Sequence, residues 1–425
     1  MRPGAEVELE ITGLGATGDG IGQVAGHTVR MDRGLPGERW RAGLLAHRRD
    51  GWDAEPLDRL AGGERATPAC RHFGLCGGCR LQHLPDPLYR DFKRQRIETA
   101  LRRRGFSDVA IMPPRISPPG SRRRLRLAWE RRGRQVVLGL HRRRSHEIVD
   151  LGECPVAAPA LIALLPAARR LLGGLELFGR KGELGLTVTA GGVDILADAA
   201  RPPTLDERQA LAESAGRLRL ARLSLAVGGS VELVAALRPA AIELAGLAVP
   251  LPPGAFLQAT AEGEAALREA VLSQLRPRDR VADLFAGIGT FSLAAADAGA
   301  RVVHAVEADE AACRALAATR RQGVSVERRD LARRPLTAAE LARFDLVILD
   351  PPRAGAEAQA RELAAAAVPR IAYVSCDPES FARDARVLAD GGYTLEGLQP
   401  VDQFLWSAEI ELAARFTRST TRRRA

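Results

Sequence analysis

The sequence is short of lysine: of its 62 basic residues, all but Lys93 and Lys181 are arginine. Against 52 acidic residues the formal charge is +10, carried by planar forks that bind phosphate bidentately rather than by point charges. Also missing is any run of the roughly 18 uninterrupted apolar residues that a bilayer crossing needs. The opening "MRPGAEVELE" has no apolar h-region of a secretory leader. The expectation is a cytoplasmic chain with no membrane segment and no obligate protein partner. Cysteine is sparse, six in 425 residues, but Cys70, Cys76 and Cys79 lie close together, which in such a compartment points to metal or catalysis rather than disulfides.

What is present divides into regions. At 425 residues the chain exceeds one ordinary core. Residues 1–58 show short alternating runs ("EVELEITGL", "HTVRM", "RWRAGLLAH") between glycine-rich turns, the pattern of a small β-barrel. Residues 62–265 combine a cysteine block, an arginine-rich helix and three predicted hairpins, "RLRLAWE" with "QVVLGLH", "LGLTVTA" with "VDILADA", and "RLSLAVG" with "SVELVAAL". Together with the helix "APALIALLPAARRLL" these predict an antiparallel α+β domain. Residues 266–425 alternate strand and helix, which requires a parallel, doubly wound α/β sheet. The arginine runs 121–134 and 141–147 would give a polyanion an electrostatic footprint, and the tail "TRSTTRRRA" is expected to be disordered.

In open α/β sheets ligands gather beyond the carboxyl ends of the strands. Asp283, Glu307, Asp330, Asp350 and Cys376 fall there, one after each successive strand. "DLFAGIGTFSLA" puts Gly287 and Gly289 in the first turn; the third glycine of a dinucleotide fingerprint is missing. Glu307, about twenty residues on, can accept both hydroxyls of a ribose. Adenosine without phosphates fits this pattern, and S-adenosylmethionine is the candidate. "FDLVILDPPRAG" then holds Asp350 extended ahead of two prolines.

Cys376 closes the next strand, and Asp377 and Pro378 open a helix behind it. A helix N-terminus lowers a thiol's pKa, so a nucleophilic thiolate is expected there. Cys313, within "AACRALA", has the setting of an inert buried thiol. A thiolate beside a methyl donor suits methylation of a pyrimidine at C5, where addition at C6 makes C5 nucleophilic. A base must then remove the C5 proton. "VDQFLWSAEIEL" offers Glu409 and Glu411, and the residues alone favour Glu411 weakly.

These motifs, in this order and spacing, resemble the RNA uracil-C5 methyltransferase family. The resemblance implies a class I methyltransferase fold with Cys376 as nucleophile and Glu411 as proton acceptor. It also implies an S-adenosylmethionine site lined by Gln258, Phe285, Glu307 and Asp350, to which the strand-end pattern adds Asp283, Gly287, Gly289, Thr290 and Asp330. Residues 1–58 resemble the TRAM RNA-binding barrel. "CRHFGLCGGCRLQH" with "HEIVDLGECPV" resembles the four-cysteine block of the ribosomal-RNA branch, with Cys70, Cys76, Cys79 and Cys154 as ligands. Spacing leaves zinc and a [4Fe-4S] cluster both open; the resemblance implies iron and sulfur. Three positions depart from the family pattern: Thr260 replaces Asn, Leu405 replaces Pro and Glu409 replaces His. The expected substrate is a uridine of 23S ribosomal RNA. The alternatives are a T-loop uridine of transfer RNA, or a non-catalytic RNA-binding protein.

Overall fold

The computed structural model describes residues 1–133 and 135–418, so the end of the arginine tail, from Ser419, lies outside the described residues. Among the described residues the strands form sheets of six, seven and eight strands and one two-stranded ribbon.

In the six-stranded sheet the spatial order is Glu6–Glu10, Arg39–Arg48, Gly51–Ala61, His27–Met31, Gly20–Val24 and Gly13–Leu14. Alternation turns Leu9, Val29, Met31, Ala42, Leu44 and Ala54 onto one core. Gly22 is obligatory, because a Cβ there would lie 2.0 Å from the Glu10 carbonyl; the strands Gly20–Val24 and Glu6–Glu10 touch at backbone distance. The strand Gly51–Ala61 runs past residue 58, where the sequence reading ended this unit.

All three predicted hairpins pair as expected within the seven-stranded sheet. That sheet is not wholly antiparallel. Gly192–Asp198 runs parallel to Arg222–Val227, because the helix Leu205–Arg217 carries the chain back across. The single helix predicted over 158–172 is two, Pro159–Ala163 and Leu165–Gly174; Pro166 has no N–H to continue the first.

The eight-stranded sheet has the order Val324–Arg328, Val302–Glu307, Arg280–Leu284, Leu346–Leu349, Arg370–Ser375, Glu411–Arg418, Tyr393–Asp402 and Arg115–Ile116. The first five strands are parallel and Glu411–Arg418 inserts antiparallel beside Arg370–Ser375. Leu346–Leu349 and Arg370–Ser375 are buried throughout, as strands covered on both faces must be. Strand order reverses at Arg280–Leu284, which opens a crevice at the carboxyl ends of the strands. Two elements from the 62–265 region join this unit. Helix Asp86–Arg102 buries Ile97, Ala100 and Leu101 in its core, and Arg115–Ile116 extends its sheet.

Candidate functional site

The turn after Arg280–Leu284 is built for close approach. Phe285, Gly287 and Gly289 all have positive φ, of 65°, 54° and 97°. Gly289 starts the helix Thr290–Asp297, and a Cβ there would strike Leu316 at 2.4 Å. A Cβ on Gly287 would meet nothing within 4 Å, so that glycine borders open space. The Glu307 carboxylate accepts N–H groups from Gly287 at 2.9 Å, Ala308 at 2.6 Å and Asp309 at 2.7 Å. It therefore locks the glycine turn to the end of the neighbouring strand. Asp283 is fully buried and accepts from the Ser292 hydroxyl at 2.5 Å, leaving its Oδ1 without a partner. Burial pushes its carboxyl up to about 7. Thr290 is half-buried at the helix start. Asp330 is exposed at the rim, where it accepts from the Ala332 N–H at 3.0 Å and pairs with Arg333; no contact joins it to the other predicted residues.

On the other side of the switch point, Asp350, Cys376 and Glu411 face one another. Glu411 is buried, with Oε2 unpartnered. Burial raises its carboxyl to about 7, against the opposing pull of the Gln403 amide and the Arg124 guanidinium. Asp350 is pushed well above the usual carboxylate range by burial, then by Glu411 and Asp283. The Cys376 thiol is half-buried and does not match the thiolate expected from sequence. Burial and the carboxylates of Glu411 and Asp350 push it up to about 12, with Arg353 pulling the other way. The helix behind it gives little help because Asp377 takes its first free N–H groups, those of Glu379 at 3.0 Å and Ser380 at 2.9 Å. Cys313 is a packed thiol whose Sγ contacts the Glu307 carbonyl at 3.5 Å.

Two residues that the sequence left nearly equal are separated by the fold. Glu411 opens a strand and points inward, whereas Glu409 pairs with Arg353 at 3.2 Å, and Arg353 also approaches Asp377 at 3.5 Å. The departure at Glu409 thus supplies a counter-charge for the cation beside Cys376. The departure at Thr260 caps the helix Ala261–Leu272, its Oγ1 accepting from the Gly263 N–H at 3.0 Å.

Gln258, expected at the cofactor site, belongs to a chain of side-chain amides that orders the crevice, and its other member, Gln403, was missed in the sequence. Gln403 Nε2 donates to Gln258 Oε1 at 2.6 Å, and Gln258 Nε2 donates to Asp350 Oδ2 at 3.2 Å. Below it, Lys93 pairs with Asp402 at 2.9 Å with neither side chain exposed, and donates to the Glu409 carbonyl. Tyr89 donates to Asp402 and accepts from the Trp406 N–H at 2.8 Å. A lysine kept in so arginine-rich a chain was the available signal for this buried pair; Gln403 had none.

Cys70, Cys76, Cys79 and Cys154 line one cavity of about 230 Å³. Each thiol is raised first by burial, and each of Cys70, Cys76 and Cys79 also by its neighbouring thiols. Such a set binds its anions together only around positive charge. Among the described residues no three His, Cys, Asp or Glu side chains converge tightly enough to hold a single metal ion; the thiols ring a space rather than a point.

Residues 260–372 match a family model described as Conserved hypothetical protein 95. The chain is 42% identical to an uncharacterised RNA methyltransferase of Brucella melitensis, over 97% of this chain and 98% of the relative. The chain belongs to this family of RNA methyltransferases. Similar too is the 23S rRNA (uracil(1939)-C(5))-methyltransferase of Chromohalobacter salexigens, 34% identical over 98% of this chain and 90% of that one. Among solved structures, Pyrococcus abyssi tRNA (uracil-54, C5)-methyltransferase in complex with S-adenosyl-L-homocysteine shares the fold. Its TM-score is 0.76 at 21% identity, covering 96% of this chain and 99% of that one.

Part of this RNA methyltransferase's arginine is paired inside the protein, which narrows the footprint expected from its arginine runs. Arg123 pairs with buried Glu264, whereas Arg126 and Arg132 remain exposed in surface pairs with Glu183 and Glu130. Arg143 binds Asp19 and Asp32, and Arg144 binds Asp53 while staying exposed, so both tie the central region to the N-terminal sheet. No helix of the described residues is long and apolar enough to cross a membrane.

Proposed function

We propose that this RNA methyltransferase transfers a methyl group from S-adenosylmethionine to C5 of a uridine, through a transient bond between Cys376 and C6 of the ring. The observation that carries this is the meeting of a thiol and a buried carboxyl with an unpartnered oxygen, Cys376 and Glu411, in the crevice at the strand ends. The residues suit the cofactor: open space beside Gly287, the Glu307 carboxylate at the glycine turn and an orphaned Asp283 oxygen. Gln258, Asp283, Phe285, Gly287, Gly289, Thr290, Glu307 and Asp350 are its proposed lining, with Asp330 at the rim. When bound, S-adenosylmethionine supplies an electrophilic methyl group.

The chain's own residues do the rest. Cys376 gives its proton to solvent and its sulfur bonds to C6, which places the ring's electron pair on the enolate and makes C5 nucleophilic. Arg353 favours the thiolate. Once C5 carries the methyl, Glu411 takes the C5 proton; the electrons of that C–H bond re-form the C5–C6 double bond as the C6–S bond breaks, returning a pair to sulfur. A carboxyl raised to about 7 is close to ideal for taking and releasing a proton near neutrality. The target base must be flipped out of its stack to reach the crevice.

The proposed substrate is 23S ribosomal RNA, supported by the 34% identical relative of that name; a transfer-RNA uridine is the alternative. The six-stranded sheet of residues 1–58 and its continuation is proposed as a TRAM-like barrel. The 62–265 region is proposed to bear the RNA-gripping cysteine loop, and 266–425 the methyltransferase unit. Cys70, Cys76, Cys79 and Cys154 fit a [4Fe-4S] cluster, four thiols lining one cavity. Bound there, it would tie the loop 70–79 to Cys154.

RNA carrying 5-fluorouridine tests this, since a C5 without a proton cannot release the thiol. A covalent complex is expected with the parent protein and none with Cys376→Ala. A complex that survives in the alanine variant rules out the mechanism.

A further inference from the structure

The cysteine cavity and the catalytic crevice share a wall. Besides the four cysteines, the cavity is lined by Thr260, Gln403, Phe404, Leu405 and Ser407. Those last four residues belong to the loop that leads into Glu411. The cysteine loop grips it directly: Arg80 N–H and Leu81 N–H, the two residues after Cys79, both donate to the Trp406 carbonyl, at 2.7 and 2.9 Å. Trp406 itself is held at φ 59°, a left-handed conformation that persists where surroundings over-determine it. From this loop the Gln403 amide reaches the crevice. Its Oε1 accepts from Ala259 N–H at 2.6 Å and Thr260 N–H at 3.4 Å, and its Nε2 donates to Gln258, which holds Asp350. Every link is buried or half-buried, so none is easily replaced by water.

We propose that Gln403 is a positioning residue through which occupancy of the four-cysteine site sets the geometry of the catalytic crevice. This rests on the covalent methyl-transfer reading above. With the four thiols gathered, the cysteine loop holds the Trp406 carbonyl, and Gln403 presents Gln258 in the one amide orientation that can donate to Asp350. With the thiols released, the grip on Trp406 loosens, and the segment carrying Gln403 and Glu411 loses its register.

The test uses full-length, iron-loaded protein, with iron removed by ferricyanide and a chelator. Hydrogen–deuterium exchange of peptides spanning 402–411 is expected to speed up about tenfold or more on removal, as loss of a hydrogen bond or two implies. Peptides over the parallel strands should be unchanged. Uptake that stays flat in 402–411, or that rises equally across all sheets, overturns the proposal. Gln403→Leu should keep the visible absorbance of the cluster and its RNA affinity while slowing single-turnover methyl transfer about tenfold. Gln403→Glu adds a readout that mere packing would not move. Only its protonated form can donate to Gln258, so its rate relative to the parent should fall as pH rises. A pH-independent ratio counts against the proposal. Because deuterium uptake does not depend on adduct formation, failure of the 5-fluorouridine trap and failure of this linkage are separate results.

Discussion

Lys93 and Asp402 form an ion pair at 2.9 Å in which neither side chain reaches solvent, and it joins the helix Asp86–Arg102 to the end of the strand Tyr393–Asp402, where the loop toward Glu411 begins. Lysine suits the position because its compact ammonium donates both to Asp402 and to the Glu409 carbonyl at the end of a narrow stem. Burial lowers the lysine's pKa, and Asp402 opposes that shift.

Removing one partner of such a pair strands the other. Lys93→Met is expected to destabilise the protein by about 3–5 kcal/mol, and the Lys93→Met/Asp402→Leu double variant to recover part of the loss. Urea unfolding measures both. A Lys93→Met variant as stable as its parent would show that the pair carries no net energy.

The pH dependence of the chemical step follows from two raised groups. Cys376 must lose a proton from a thiol at about 12, and Glu411 must be ionised above about 7. Both conditions are met progressively as pH rises. Single-turnover trapping should therefore climb between pH 7 and 9 by about tenfold per unit. Stability moves oppositely at lower pH: a folded carboxyl raised from 4.5 to about 7 binds more protons than the unfolded one, so its contribution is whole below pH 4.5 and is lost as pH rises through about 7. A trapping rate constant over pH 7–9 would mean that RNA binding has already ionised the thiol.

Glu411→Gln removes the proton acceptor and leaves the thiol in place. With ordinary uridine RNA the variant should accumulate the C5-methylated covalent adduct, visible on denaturing gels, and release product at least about a hundredfold more slowly. Rapid release without accumulation would hand the base role to another residue.

Glu38 anchors the N-terminal sheet. It is buried and accepts from Arg65 at 2.6 and 2.7 Å, Leu35 N–H at 2.8 Å and Trp40 Nε1 at 2.9 Å. Burial alone would raise its carboxyl, but these donors bring it down to about 2 from 4.5. Its contribution is whole above pH 4.5 and is lost as pH falls through about 2. Glu38→Gln should cost about 1–3 kcal/mol at neutral pH and flatten the acid sensitivity of the fluorescence of Trp40 and Trp52. An unchanged acid transition would assign that sensitivity elsewhere.

The hairpins of the central sheet were legible because alternation of period two has few other meanings. So were the strand ends Glu307, Asp350 and Cys376, because a buried β-branched run that stops at a polar residue marks the edge of a parallel sheet. The fate of the arginines was not. Arg126 and Glu183, or Arg144 and Asp53, are far apart in the chain and meet only after folding, so a basic run cannot tell which of its charges find a partner within the protein.

By itself the chain's order of residues determined the elements, the polar groups at the carboxyl ends of the parallel strands and the family to which the protein belongs, since those depend on local periodicity and short motifs. Tertiary structure alone decided that Glu411 turns inward while Glu409 meets Arg353, that the Cys376 thiol is held protonated, and that Gln403 lies between the cysteine cavity and Asp350. Burial and the approach of distant charges set those properties, and neither is written in any single stretch of sequence.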